Sequence, residues 1–236
     1  MIVVISQPMF FPWIGVFEQI KAADVFLHYD DVQMPQGRSF ISRVQIKTSN
    51  GTSWLTVPVH RPSSRPLIKE VKLAKGDWRK KHQRTLSGCY GHAPFWDDVE
   101  QIISLVYGYE TNSLVDFNIY AMELIADYFG LSSKFYRSSS YPTEKVSSDH
   151  LLYLVKTFLG DVYVTGHGAR RYIDYDLFVQ NDVEIKYMDY ARMPYPQRFG
   201  EFDPHVSILD LIANCGKNGI ELMCSKTVNW KEFINE

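Results

Sequence analysis

The sequence predicts an α/β protein: a Rossmann-like, mostly parallel sheet flanked by helices, with an antiparallel hairpin insertion and a helical layer. Three observations carry that expectation. Residues 2–5, 25–27 and 162–165 are short apolar, β-forming runs without alternation, as expected of strands buried on both faces. Those runs alternate with segments of helical spacing, the pattern of parallel crossovers. Asn50 and Gly51, which accept positive φ, divide two further β-forming runs and mark a tight hairpin.

In chain order, residues 2–5 lead through a proline-broken segment into a helix marked by Trp13, Phe17 and Ile20, then into the strand at 25–27, making a βαβ unit. The hairpin spans residues 40–47 and 53–59. Helices are expected at 78–90, 95–106 and 114–129, the last stopped by Gly130 at a position suited to a left-handed cap. Strands at 135–137, 162–165 and 183–187 are separated by helical segments at 150–159 and 169–178. Pro194 and Pro196 break the chain, and a helix at 207–214 opens at Ser207, with Asp210 completing a capping-box-like pair and Gly216 as its stop.

A chain of 236 residues can bury one large core, and a single domain over 1–236 is the simplest expectation. The formal charge of −2 provides no broad attraction for a phosphate backbone, so nucleic acid is an unfavourable partner. The basic run Arg79, Lys80, Lys81, His82 and Arg84 reads either as a solvated helix face or as a site for an anion. Cys89, Cys215 and Cys224 form no disulfide framework, which suits a reducing compartment. The opening run is too short for a signal peptide, and no stretch approaches a membrane span, so a cytoplasmic protein is expected.

In a doubly wound sheet, ligands lie beyond the carboxyl ends of the strands. The loop after the first strand offers Gln7, Pro8, Phe11, Trp13 and Gly15: an amide that donates and accepts, two prolines with Pro12, aromatic walls and a glycine permitting close approach. The same residues also suit a rigid plug over the sheet. Asp30, Asp31 and Gln33 leave the second strand at the same edge and are the expected polar wall, with Asp30 or Asp31 as a general base; a plain turn is the alternative. His82 and His205 have the most suggestive surroundings among the histidines, yet neither has metal-ligand spacing, and no metal is expected. Gly166, Gly168 and Arg170 leave a strand and enter a helix, a pattern able to hold an anion but lacking a Walker lysine.

Taken together, Gln7-Pro8, Phe11-Pro12-Trp13 with Gly15, the run 23–26 and Asp30-Asp31-Val32-Gln33 resemble the WbqC-like protein family. The resemblance extends through residues 46–48, residues 54–59, Trp78, Lys81-His82, Tyr90, the Gly166 loop with Tyr172, Tyr195 with Gln197, and residues 207–211. It implies substrate contacts at Lys81, Tyr172 and Gln197. Residues 38–45 depart from the family pattern while keeping Arg43, which the resemblance also implies as a substrate contact. Members occur in O-antigen and capsule gene clusters, and some have been proposed to add glycine to an amino sugar. The resemblance therefore implies an acyl or aminoacyl transferase in polysaccharide biosynthesis, acting on a small molecule such as a nucleotide-linked amino sugar. The residues identify no cofactor. A non-catalytic nucleotide-sugar binding or assembly protein is the alternative. The first loop also resembles that of HIGH-type nucleotidyl- or adenylate-forming enzymes, but their histidines are missing.

Overall fold

The structure, a computed structural model, describes residues 1–37 and 39–235; Arg38, within the departing segment, lies outside the described residues. The chain runs β1 (Ile2–Ser6), α1 (Ile14–Ala22), β2 (Val25–His28), β3 (Arg43–Thr48), β4 (Gly51–Thr56), β5 (Val59–His60), β6 (Lys72–Leu73), α2 (Trp78–Tyr90), α3 (Trp96–Gly108) and α4 (Leu114–Tyr128). It continues through β7 (Lys134–Arg137), α5 (Ser147–Thr157), β8 (Val162–Thr165), α6 (Tyr175–Gln180), β9 (Glu184–Asp189), α7 (Ile208–Cys215), β10 (Lys226–Asn229) and α8 (Trp230–Phe233). The result is a mixed α/β fold whose central sheet is mostly parallel and flanked by helices.

The sheet order is β10-β9-β8-β1-β2-β7, in which only the β9–β10 pair is antiparallel. Alternation of side chains divides the core between two faces. Val4, Phe26, Val164 and Met188 face α1, the α2–α4 layer and α7. Val3, Ile5, Val25, Leu27, Tyr163 and Ile185 face the other way, against Leu151, Leu154 and Val155 of α5 and Phe178 of α6. Covering both faces explains why these strands read as continuous apolar runs rather than alternating ones.

The hairpin forms as expected, with β3 and β4 antiparallel and Gly51 at φ +99°. Gly130 takes φ +66° just beyond α4, and the Leu131 amide donates to the Ala126 carbonyl at 2.9 Å, closing that helix. The helix expected at 169–178 is interrupted. A 3-10 turn over His167–Arg171 comes first, and α6 restarts from Asp174, whose carboxylate accepts from the Leu177 amide at 3.1 Å. Ser207 does cap α7 through the Leu209 amide, but the Asp210 side chain accepts from Tyr195 instead of completing a capping box. Among the described residues, no helix is long and apolar enough to cross a membrane.

Candidate functional site at the carboxyl edge of the sheet

From β1 the chain steps to β2 and β7 on one side, then returns to the other side of β1 with β8 and β9. Its direction therefore reverses between β1 and β8, and the loops leaving their carboxyl ends diverge and open a crevice. A cleft of about 360 Å³ lies there, lined by Gln7, Met9, Gln19, Tyr29, Val32, Thr165, Gly166, Gly168 and Tyr172, among others. Four loops or elements thus meet at one edge of the sheet.

The loop after β1 is held by partners distant in sequence. The Pro8 carbonyl accepts from Asn118 Nδ2 at 3.0 Å, the Phe10 amide donates to the Phe40 carbonyl at 3.1 Å, and the Phe11 carbonyl accepts from Ser207 Oγ at 2.9 Å. These contacts over-determine a backbone that an isolated peptide would avoid: Phe11 sits at φ +40°, a costly conformation for a bulky side chain. Phe11 is fully buried and plugs the sheet end, whereas Gln7 reaches the cleft and its amide has no hydrogen-bond partner among the described residues. Gly15 has a different role from the expected ligand approach. A Cβ there would meet the Trp13 ring at 2.3 Å, so the glycine makes room for that indole.

Opposite Gln7, Gly166 leaves β8 with no side chain to fill the cleft floor. A Cβ there would come within 3.2 Å of Tyr190 Oη and 3.3 Å of Gln19 Nε2, which are themselves hydrogen-bonded at 2.7 Å. Tyr172 lines the same cleft and is 54% exposed, leaving its ring available to a ligand. Arg170 is directed elsewhere: its guanidinium donates to the Ile234 carbonyl at 2.9 Å.

The two aspartates part company. Asp30 is 1% exposed; its carboxylate accepts from Ser138 Oγ at 3.1 Å, from the Ser139 amide at 3.0 Å and from Ser139 Oγ at 2.8 Å. It fastens the turn after β7 and does not line the cleft, contrary to the expectation of a general base there. Asp31 accepts from Ser138 Oγ through Oδ1, and its Oδ2 lies 3.9 Å from Nε2 of buried His150. His150 Nδ1 in turn is 3.1 Å from Tyr29 Oη, and Tyr29 lines the cleft. Asp31, His150 and Tyr29 therefore form a chain of titratable groups ending at the cleft. Burial holds His150 below the usual histidine pKa, opposed by Asp31, so the imidazole is neutral at neutral pH. Burial, Asp31 and Tyr172 raise the Tyr29 pKa, so the hydroxyl keeps its proton.

The sequence reading missed Tyr29, Gln19 and the pairing of His150. Tyr29 immediately follows β2, so the rule that singled out Asp30 and Asp31 applied to it as well. His150, by contrast, is brought to Asp31 only by tertiary packing.

The other expected residues lie apart from the cleft. His82 is buried among Phe10, Trp78 and Tyr107, with Nδ1 3.1 Å from Tyr107 Oη and Nε2 3.0 Å from the Thr56 carbonyl. The carbonyl requires Nε2 to donate and leaves Nδ1 to accept, so both nitrogens are engaged. Burial pushes its pKa down to about 4, a neutral structural imidazole rather than the expected acid-base group. Lys81 and Gln33 are exposed, and the Gln33 backbone bridges to Leu67. The Arg43 guanidinium lies 3.8 Å over the Trp54 ring. Gln197 accepts from the Asp203 amide and Lys47 Nζ and donates to Tyr195 Oη and the Asp203 carbonyl, stapling its own loop. Trp13 packs on Tyr190 and His205, with centroids 4.8 and 5.4 Å away, and with both Phe10 and His205 it lines a second cavity beyond Met9.

Fold and site together define an α/β protein with a cleft at the carboxyl edge of a mostly parallel sheet, walled by amides, hydroxyls and tyrosine rings. The chain belongs to the WbqC-like protein family, whose model matches residues 7–222. It is similar to Uncharacterized protein Rv1507c of Mycobacterium tuberculosis (strain ATCC 25618 / H37Rv), at 32% identity over 217 residues, covering 91% of this chain and 94% of the relative. No solved structure matches.

Proposed function

We propose that the protein transfers an acyl or aminoacyl group, glycyl among the candidates, to the amine of an amino sugar, free or nucleotide-linked, in surface-polysaccharide synthesis. The observation that carries this reading is the Tyr29–His150–Asp31 chain ending in a cleft walled by neutral polar groups and aromatic rings. Such a wall suits a sugar, because amides and hydroxyls satisfy its hydroxyls while a ring such as Tyr172 packs on its apolar face. The strand succession supports the Rossmann-like reading of the fold: taken in chain order, the five parallel strands lie 3-2-1-4-5. The three free cysteines suit a reducing, cytoplasmic setting.

In the proposed step, the sugar amine attacks the carbonyl carbon of an activated donor, a thioester or acyl adenylate. The new C–N bond forms and the bond to the leaving group breaks with its electron pair. The amine proton passes to Tyr29 Oη as the Tyr29 proton passes to His150 Nδ1, and the leaving group is finally protonated from that relay. Asp31 stabilises the imidazolium formed in between, as the acid of a triad does. Asp31 thus acts through His150 and does not meet the substrate.

Mass-spectrometric turnover with amino nucleotide-sugars and a panel of thioester and adenylate donors tests this proposal. Formation of an amide-linked product, lost in Tyr29→Phe, is the expected result. Saturable binding of the nucleotide-sugar with no product from any donor would replace it with the binding-protein reading.

A further inference from the structure

Beyond Met9 lies a cavity of about 220 Å³ lined by Met9, Phe10, Pro12, Trp13, Phe40, Val44 and His205. Met9 also lines the polar cleft, so one residue borders both spaces. Among the described residues, the Trp13 indole apart, His205 contributes the only polar side chain of the lining, and it is half-exposed, beside Asp203. Phe40, 52% exposed, stands at the rim.

We infer that this cavity is a second subsite, and that it takes a compact apolar group carried by the acyl donor. The inference rests on the transferase reading and narrows the donor within it. Size is the first argument: an apolar cavity of about 150 Å³ holds a benzene molecule. The present one therefore admits a six-carbon chain or a single aromatic ring with room to spare. Chemistry is the second. A glycyl ammonium buried here would find, among the described residues of the lining, one imidazole and no carboxylate, and an unpartnered charge is strongly disfavoured in such surroundings. Position is the third. With the apolar body in this cavity and the sugar in the cleft, the donor's carbonyl and the sugar's amine meet beside Met9. A glycyl group would leave the cavity unfilled, so the architecture favours an acyl body larger than glycine.

Binding can be read without any transfer taking place. The protein contains seven methionines, so labelling with 13C-methyl methionine yields a small set of signals, and Met9→Leu identifies that of Met9. Titration with hexanamide and benzamide is expected to move the Met9 signal saturably, while acetamide leaves it in place. Response to one probe alone assigns the body as chain or ring. Val44→Phe, which fills the cavity, should weaken the response by about tenfold or more. Should that variant fail to fold, Phe40→Trp narrows the rim at an exposed position. Absence of a saturable shift, an equal response to acetamide, or unchanged binding in the variant would overturn the inference. Because the measurement needs no product, failure of the transferase reading leaves a positive binding result intact, and a negative one leaves the relay to be judged by turnover.

Discussion

Replacing Tyr29 by phenylalanine removes a single oxygen and separates the relay from ordinary packing. The hydroxyl is 3.1 Å from His150 Nδ1, while His150 Nε2 makes no hydrogen bond, Asp31 being 3.9 Å away. The variant therefore leaves both nitrogens of a buried imidazole without a hydrogen bond from the protein, at a cost of about 1–3 kcal/mol. For a chain of this size that corresponds to a fall in melting temperature of roughly 2–4 °C per kcal/mol. On the proposed transfer, turnover should fall further, by about 10²–10⁴-fold, the proton of the attacking amine losing its acceptor. Converted, that is about 3–5 kcal/mol of barrier, more than the stability term. The comparison is made well below the melting temperature, where all of the variant is folded, by mass-spectrometric turnover beside thermal unfolding. His150→Gln is the companion: its amide oxygen can accept from Tyr29 but does not take up a proton, so stability should recover while turnover does not. Turnover of Tyr29→Phe within about twofold of the parent would refute the relay.

Gly166→Ala should weaken binding of the proposed nucleotide-sugar in calorimetry by roughly tenfold with little change in unfolding, since the added methyl enters the cleft beside Tyr190 and Gln19. His82→Ala should lower stability by about 2–4 kcal/mol in denaturant titration, through the lost packing and the unpartnered Thr56 carbonyl and Tyr107 hydroxyl, while the folded protein keeps its turnover. Asp210, fully buried, has its pKa pushed up to about 6 chiefly by desolvation, so the folded state binds a proton more tightly than the unfolded one. Its contribution to stability is then full below the unfolded value near 3.8 and is lost as pH rises through about 6, a swing of about 3 kcal/mol. Denaturant unfolding from pH 4 to 7.5 should show that swing as a difference from Asp210→Asn; parallel profiles would contradict it.

The parallel strands were legible because burial on both faces leaves an unbroken apolar run, and the hairpin was legible because Asn50-Gly51 has few other uses. β10 was not: Lys226–Asn229 is an edge strand with two exposed residues, and its polar composition carries no period. Within the site, Gln7 and Gly166 could be placed from the strand-end rule alone, and they meet in one cleft. Asp30 could not be excluded from sequence, because Ser138 and Ser139, which enclose it, read there as ordinary loop residues. The Tyr29–His150 contact joins residues 121 positions apart, a distance that no local pattern spans.

The central position of β1 also sets the order in which this chain can assemble. One edge of β1 finds β2 within the first thirty residues, whereas the other waits for β8, where Val4 aligns with Val164. Until then, a nascent or truncated chain presents an open edge built of Ile2, Val3, Val4 and Ile5, the kind of edge that recruits other chains. Contacts this remote in sequence slow folding, since a long loop must close before they form. The cleft draws its walls from both ends of that loop, so it comes into being only when β8 docks. A polypeptide ending before residue 162 should lack the cleft and be the species most dependent on chaperones.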